Sequence, residues 1–315
     1  MDTFLGEKSV KNISWSMRPI TLPSQTCVFT IDVEDWFHIM DLPTAPQIND
    51  WDRLPSAVES NFKKVLDIVD EHGAKSTCFF LGWVAEHYPE LVRAAVARGH
   101  EIASHGYGHG LVYEMTPEAF LEDVSKAKDL LENIIGRQVY GYRAPGFSVT
   151  AKSPWFFEIL AKAGYRYDSS IFPAPRQHGG LPGFDSAARI IETGCGNICE
   201  VPISIARLLG QQICFFGGGY LRLFPYVLIQ HMVRQVLDGG QPVVLYIHPR
   251  EIDPYHPRLK MPLIRSFKSY VGLSSTAGKL DRLLSTFKFL TFAELLADSL
   301  RRDGGSFDER SRLLR

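Results

Sequence analysis

The stretch Val28-Phe29-Thr30-Ile31-Asp32-Val33-Glu34-Asp35 decides the fold. Its first half is short, apolar and β-branched, and it runs straight into three carboxylates. An apolar run of that length fits a strand buried on both faces, as in a parallel sheet. The acids then leave the strand at its C-terminal end. Working outward, the same alternation repeats. Residues 56–72 put Val58, Phe62, Val65, Leu66 and Val69 at helical spacing, and Gly73 stops them. Residues 76–81 predict a second strand, 84–98 a helix closed by Gly99, and 101–104 a third strand. Thr116 as N-cap and Pro117 at the first helical position start a helix that Gly136 ends. Residues 140–143 and 165–168 predict strands on either side of a helix over 153–163. A helix over 225–237 and a buried strand over 242–248 follow. Strands alternating with helices imply a parallel sheet, hence an α/β fold.

The polar residues of interest fall at the C-terminal ends of these strands: Asp32, Glu34 and Asp35, then His105, Arg143, Asp168 and His248. In a β/α barrel that rim is where active sites form. His105 and His109, four residues apart, can face one point. Two imidazoles plus one carboxylate make a metal site of the hydrolytic kind, with one position open for water. Asp32 and Glu34 share a face if the strand continues, and Asp35 joins them only if the chain turns. The third ligand is therefore open between these acids. A spare carboxylate suits a general base, and Asp32, the first to leave the strand, is the choice here. Arg143 would pair with it and keep it ionised. His248 ends an apolar strand and suits a general acid, with Asp168 as the acid that could hold its ring and raise its pKa. Each residue also has a plainer reading: an exposed loop histidine, a surface arginine, a core histidine bonded to a carbonyl.

The 315 residues are 45% apolar and 22% charged, ample for a core of ordinary globular type. A net charge of -1, from 34 basic and 35 acidic residues, gives no support for nucleic-acid binding. Cys27, Cys78, Cys195, Cys199 and Cys214 are odd in number and read as buried, reduced thiols. The pair Cys195 and Cys199 lacks the second pair that a structural zinc site needs. The first 20 residues hold no apolar core of signal-peptide length, and no run approaches the length of a membrane span. These features set an expectation of a cytoplasmic protein without a transmembrane segment. Residues 1–24 show no period and read as a lead or an edge segment. Residues 172–222 are rich in Gly and Pro and read as a loop-and-strand insertion or flank over the sheet. Residues 252–282 lack a strong period, and 301–315 read as a charged, mobile tail.

Five blocks occur in order: Thr30-Ile31-Asp32-Val33-Glu34-Asp35, Ser104-His105-Gly106-Tyr107-Gly108-His109, Arg143-Ala144-Pro145, Asp168-Ser169-Ser170 and Leu245-Tyr246-Ile247-His248. On these the chain resembles polysaccharide deacetylases of the NodB-homology type, carbohydrate esterase family 4. Asp32-Val33-Glu34-Asp35-Trp36-Phe37, Gly217-Gly218-Gly219-Tyr220 and the run His248 to Pro254 resemble the subgroup tied to exopolysaccharide loci with exosortase systems. The resemblance implies a distorted (β/α) barrel of seven strands with a C-terminal extension. Residues 1–24 would be a lead, 25–295 the NodB-like domain with the extension over about 180–295, and 296–315 a charged tail. It implies one divalent metal, usually Zn2+, and removal of acetyl from an N-acetylated sugar of a polysaccharide or its precursor. A link to an exopolysaccharide assembly system follows from the subgroup.

By the same resemblance His105 and His109 are metal ligands, Asp32 the base, Arg143 its partner, Asp168 the tuning acid and His248 the general acid. The family's adjacent Asp-Asp pair is here Asp32-Val33-Glu34-Asp35, so the third ligand is Glu34 or Asp35. Gly146 stands where an aromatic residue often follows the Arg-x-Pro block. Its backbone N–H, next to Pro145, could polarise the acetyl oxygen. Ile171-Phe172 replaces a tryptophan often found after the fourth block. Trp36, Phe37, Trp83 and Tyr220 are candidates to line a sugar path, with core packing as the alternative. Two rival functions share the fold: hydrolysis of a non-sugar linear or cyclic amide, and a catalytically silent binding module.

Overall fold

A computed structural model describes residues 15–40, 42, 44–174, 179–208 and 210–302. The strands are β1 Ser16–Pro19, β2 Cys27–Val33, β3 Thr77–Phe80, β4 Glu101–Ser104, β5 Gly141–Tyr142, β6 Tyr167–Asp168, β7 Arg189–Thr193, β8 Gly196–Glu200, β9 Ala206–Leu208, β10 Gln211–Ile213, β11 Val243–Ile247 and β12 Phe289–Leu290. The helices are α1 Val58–Glu71, α2 Gly82–His87, α3 Pro89–Ala97, α4 Pro117–Ile135, α5 Phe156–Lys162, α6 Gly218–Leu223, α7 Tyr226–Asp238, α8 Leu263–Tyr270, α9 Leu273–Thr286 and α10 Phe292–Arg302.

Seven strands pair in parallel in the order β8-β6-β5-β4-β3-β2-β11, and off this path the short β12 also pairs parallel with β2. The central strand β2 is buried at every position, as a strand covered on both faces must be. Side-chain alternation splits the core in two. Val28, Phe79, Ala103, Tyr167, Cys199 and Val244 form an inner cluster. Phe29, Ile31, Val33, Cys78, Phe80 and Leu245 pack outward in the cluster that also holds the helix faces. Thr30 and Asp32 share the inward parity of Val28. Strand spacing of ~4.8 Å would put β2 and β5 about 14 Å apart in a flat sheet. Yet Arg143, just past β5, reaches Asp32 of β2 at 2.7 Å. The sheet therefore curls as a distorted barrel, and among the described residues no pairing joins β8 to β11 to close it.

Several elements differ from the sequence reading for identifiable reasons. The helix expected over 84–98 is two helices, because Pro89 has no N–H to donate and instead begins α3. Residues 172–222 are more than a cover. They fold into the antiparallel pairs β7–β8 and β9–β10, and β8 is one of the seven parallel strands. Strand β1 pairs antiparallel with β7, so part of the 1–24 lead is an edge strand; residues 1–14 lie outside the described residues. Residues 252–282 contain α8 and most of α9. The segment expected to be a tail from 296 is helical in α10 as far as Arg302, with Leu295 and Leu296 buried. The Phe292 and Ala293 N–H groups of α10 donate to Thr77 and Glu101, which covers the end of the barrel opposite the acids. The tail beyond, 303–315, lies outside the described residues. Cys27, Cys78, Cys199 and Cys214 are buried as expected, whereas Cys195 is exposed. Among the described residues no helix is long and apolar enough to cross a membrane.

Candidate active site

Asp32 closes the inward row of β2. Its carboxylate accepts from Arg143 Nη1 at 2.7 Å, and the same nitrogen donates to Thr30 Oγ1 at 2.6 Å. Arg143 is fully buried. Its Nε and Nη2 donate to the Ser169 carbonyl and hydroxyl, and its plane lies 4.1 Å over the Phe79 ring. A buried guanidinium needs this saturation of donors and a counter-ion to be tolerated. Asp32 is thus held in a fixed charge-assisted geometry at the strand end.

The histidine pair sits on an irregular loop rather than a helix. Gly106 and His109 both have positive φ, +73° and +58°. A Cβ on Gly106 would come within 2.7 Å of Asp123 Oδ2. Asp123 of α4 shapes the loop by accepting from the Tyr107 and Gly108 N–H groups. His105 Nδ1 donates to the Arg143 carbonyl at 2.8 Å, so the Nε2 lone pair is the one left for the cluster. Glu34, His105 and His109 each offer one ligand atom, all within 4.8 Å of one another. Glu34 Oε2 and His109 Nε2 are 2.5 Å apart, buried, and neither is satisfied as a hydrogen bond. Two orphaned buried polar atoms aimed at a common point beside a third donor fit a cation.

Asp35, the other candidate third ligand, is not in this cluster. After Val33 the chain turns, with the Glu34 N–H donating to the Asp32 carbonyl. That turn sends the Asp35 carboxylate to the start of α1. It accepts there from Ser56 Oγ and from the Ala57 and Val58 N–H groups. Those N–H groups have no helical partner, and a carboxylate at a helix N-terminus is stabilised by them. Trp36 donates its indole N–H to the Pro55 carbonyl and packs edge-on to Phe37 in the core. Phe37 and Trp83 are core residues as well. Tyr220 lies on α6, stacked over Phe224. Gly146 has φ +61°, and a Cβ there would meet Met40 Cε at 2.4 Å, which explains why no aromatic occupies the position.

His248 ends β11 with Nε2 3.3 Å from Glu34 Oε1 and 4.0 Å from Asp32 Oδ2. Its expected partner, Asp168, is engaged elsewhere. Asp168 accepts from the Ser170 hydroxyl at 2.5 Å and from the Ser170 N–H. Burial, followed by the neighbouring Glu200, shapes its titration, and its pKa is pushed up to about 6. Burial and then Asp168 push Glu200 well above the carboxylate range. The hydrogen bonds of the Asp168 carboxylate thus go to Ser170, and its acidic neighbour is Glu200 rather than a histidine.

The group at His248 is Glu251, which sequence reasoning missed. Glu251 Oε2 accepts the His248 N–H at 3.0 Å and stands 3.4 Å from Nδ1, while Oε1 pairs with Arg222 Nη1 at 3.0 Å. All three side chains come from the second half of the chain. A Cβ on Gly218 would fall 1.5 Å from Glu251 Oε2, so the glycine run at 217–219 leaves room for this carboxylate. Burial opposes ionisation of Glu251, but Arg222 and His248 outweigh it and bring its pKa down to about 2. Burial lowers the His248 pKa, and Glu34, Glu251 and Asp32 together raise it above the usual value. Burial is likewise opposed at Glu34, which His109 and His248 hold below the usual carboxylate range. Burial leaves His105 neutral, with its pKa down at about 4.

His38 also went unnoticed in sequence, although it lies in the run from Asp32. Its Nδ1 accepts the Asp35 N–H at 2.9 Å, and burial, then His109, drives its pKa far down. Its ring lies 5.8 Å from that of His109.

Residues 50–167 match the family described as polysaccharide deacetylase, and residues 169–297 match a domain of unknown function, DUF3473. A chitooligosaccharide deacetylase of Azorhizobium caulinodans is 33% identical over 118 residues, 36% of this chain and 55% of that protein. A peptidoglycan deacetylase of Helicobacter pylori is 28% identical over 115 residues, 36% of this chain and 38% of that protein. The chain thus spans from about a third to just over half of these relatives' length. A solved structure from Mycobacterium smegmatis, assigned to the polysaccharide deacetylases, has the same fold. Its TM-score is 0.61 at 19% identity, covering 92% of this chain and 96% of that one. Residues 50–167 are thus similar to polysaccharide deacetylases, and the fold is the one such a structure has. The candidate site crosses both matched stretches: Asp32 and Glu34 precede them, His105, His109 and Arg143 lie in the first, and His248, Glu251 and Arg222 lie in the second.

Proposed function

We propose that this chain is a metal-dependent deacetylase that removes the acetyl group from an N-acetylated sugar of a polysaccharide or its precursor. The observation that carries the reading is the meeting of Glu34 Oε2 and His109 Nε2 at 2.5 Å, buried and unsatisfied, beside His105. Glu34, His105 and His109 would hold a divalent ion. Two imidazoles and a carboxylate suit zinc. Such an ion supplies Lewis acidity, which eases the ionisation of water and polarises an amide carbonyl.

The chain's own groups do the rest. Asp32, fixed by Arg143, takes a proton from the water that attacks the acetyl carbon. The Gly146 N–H, following Pro145, donates to the oxygen on which charge develops. His248, held by Glu251, gives a proton to the sugar nitrogen as the C–N bond breaks, releasing acetate and a free amine. The subgroup motifs at 32–37, 217–220 and 248–254 support a place among exopolysaccharide-associated members. One observation favours a different amide: glycine stands at 146 and Ile171-Phe172 replaces the tryptophan after the fourth block, while Trp36 packs in the core.

The test is acetate release from N-acetylglucosamine oligomers, set against small linear and cyclic amides, with and without chelator, beside metal analysis of the purified protein. Turnover of the oligomers that zinc restores after chelation is the expected result. Turnover of amides alone, or none that depends on metal, overturns the reading.

A further inference from the structure

The helix α8 is built inside out. Its polar residues Arg265 and Ser269 turn toward the protein, where Arg265 Nη2 donates to the Met40 carbonyl at 3.2 Å. Its apolar residues Leu263, Ile264 and Phe267 face outward at 89%, 74% and 59% exposure. Tyr255, in the approach to the helix, is 92% exposed. On a helix, positions 263, 264 and 267 form one stripe, so this is a single apolar face and not scattered side chains. Contiguous exposed apolar surface of this kind marks a docking site.

Charge indicates what docks. From Pro254 to Leu280 the chain has no Asp or Glu, yet it carries Arg258, Lys260, Arg265, Lys268 and Lys279. Lys279 is committed to the carbonyls at the end of α6, and Arg265 to Met40. Arg258, Lys260 and Lys268 are exposed around the apolar stripe. The whole chain is close to neutral, so this stretch is a local excess. Asp253, whose Oδ1 accepts the Tyr255 N–H, borders this stretch, but within it exposed large apolar side chains alternate with cations and no acid, which matches the boundary of an anionic bilayer. There the side chains enter the headgroup layer and the cations meet phosphate.

We propose that α8 and its approach dock this protein on an anionic lipid surface. This goes beyond the deacetylase reading and does not depend on it. The face also lies beside the candidate site. Its Arg265 holds the Met40 carbonyl, and Met40 Cε packs against Gly146. A docked molecule would therefore present the wall of its site near the headgroups.

The test is co-sedimentation of the full chain with vesicles of pure phosphatidylcholine and with vesicles one-quarter phosphatidylglycerol, at low and high salt. Binding to the anionic vesicles alone, weakened by salt, is expected. The triple variant Leu263→Ser, Ile264→Ser and Phe267→Ser should bind about tenfold more weakly, as should Lys260→Ala with Lys268→Ala. All five side chains are exposed, so the variants should keep the wild-type circular dichroism and melting temperature. Equal binding to both vesicle types, or no effect of the triple variant, overturns the proposal. It is overturned as well if no vesicle binds while sedimentation shows a dimer that the triple variant dissolves, because the face then belongs to a second copy. Acetate release is not part of this readout, so failure here leaves the deacetylase reading standing, and the reverse holds too.

Discussion

Glu251 stands between Arg222 and His248, with Oε1 3.0 Å from the guanidinium and Oε2 3.4 Å from the imidazole Nδ1. A carboxylate beside Nδ1, itself bonded to the His248 backbone N–H, favours a proton on Nδ1 and leaves Nε2 as the reactive nitrogen. Nε2 is then the atom turned toward Glu34 and Asp32. If His248 is the acid, Glu251→Ala should lower kcat about 10- to 100-fold with little change in KM, the size seen for an orienting partner. The check is a double-mutant cycle on acetate release. In a His248→Ala background the Glu251 change should cost almost nothing, because it acts through the ring. Independent, additive losses would assign Glu251 a purely structural role.

Glu34 and Asp35 are neighbours in sequence with separate jobs in space, and metal content should tell them apart. Glu34→Ala removes one donor of three, so bound zinc, measured per chain after dialysis, should fall well below one equivalent. Asp35→Asn removes a charge from the start of α1, where Ser56, Ala57 and Val58 all donate to it. That variant should keep its zinc and lose about 1 kcal/mol of stability, in the range of a lost helix cap. Loss of zinc in Asp35→Asn with retention in Glu34→Ala would reverse the assignment.

How far the sequence could carry this picture depends on the range of the interactions. The strands and their acids were legible because burial on both faces of β2 forces an uninterrupted apolar run, and the strand end then falls at Asp32. The start of α4 was legible because Thr116 caps the Ala119 N–H locally. What stayed hidden was set by turns and by distant packing. Glu34 rather than Asp35 joins the histidines because of one backbone bond from Glu34 N–H to the Asp32 carbonyl. Glu251 reaches His248 through a short 3-10 turn starting at Pro249, and its fixing partner Arg222 is on α6, which no local pattern links to it. Asp168 looked free for His248 because Glu200, its actual partner, lies on β8 in the stretch read as an insertion. The helix α8 gave no core-facing period because its apolar stripe does not face the core.

Gly218 offers a different handle on the Glu251 arrangement. A methyl group there would sit 1.5 Å from Oε2 and 2.1 Å from the carboxyl carbon, a clash that only moving the carboxylate can relieve. Gly218→Ala should therefore reproduce the kcat loss of Glu251→Ala and add destabilisation of about 1–3 kcal/mol from overpacking and from the displaced Arg222 ion pair. Gly219→Ala, whose nearest neighbour would be Arg222 Nη2 at 3.6 Å, is the control and should leave kcat unchanged. Thermal melts and acetate release on the two variants make the comparison. Equal kcat losses would detach the glycine run from the carboxylate.

The buried Asp168–Glu200 pair makes stability depend on pH. Both folded pKa values are raised, Asp168 to about 6 and Glu200 well above the usual range, with burial as the leading cause; Asp168 further opposes ionisation of Glu200, whereas Glu200 partly offsets the burial of Asp168. In the unfolded chain both return to ~4. A raised carboxyl stabilises the fold fully while it is protonated in both states, below about 4, and its contribution is lost as pH rises through the folded value. The melting temperature should therefore fall between pH 5 and 8 by more than the rest of the chain dictates. Glu200→Gln keeps a neutral side chain next to Asp168 and removes one of the two titrations. It should flatten that fall, gaining relative stability toward pH 8 and little or none at pH 5. Melting curves of both proteins across this range decide the matter. Parallel curves would mean that the titration of Glu200 does not shape stability across this range.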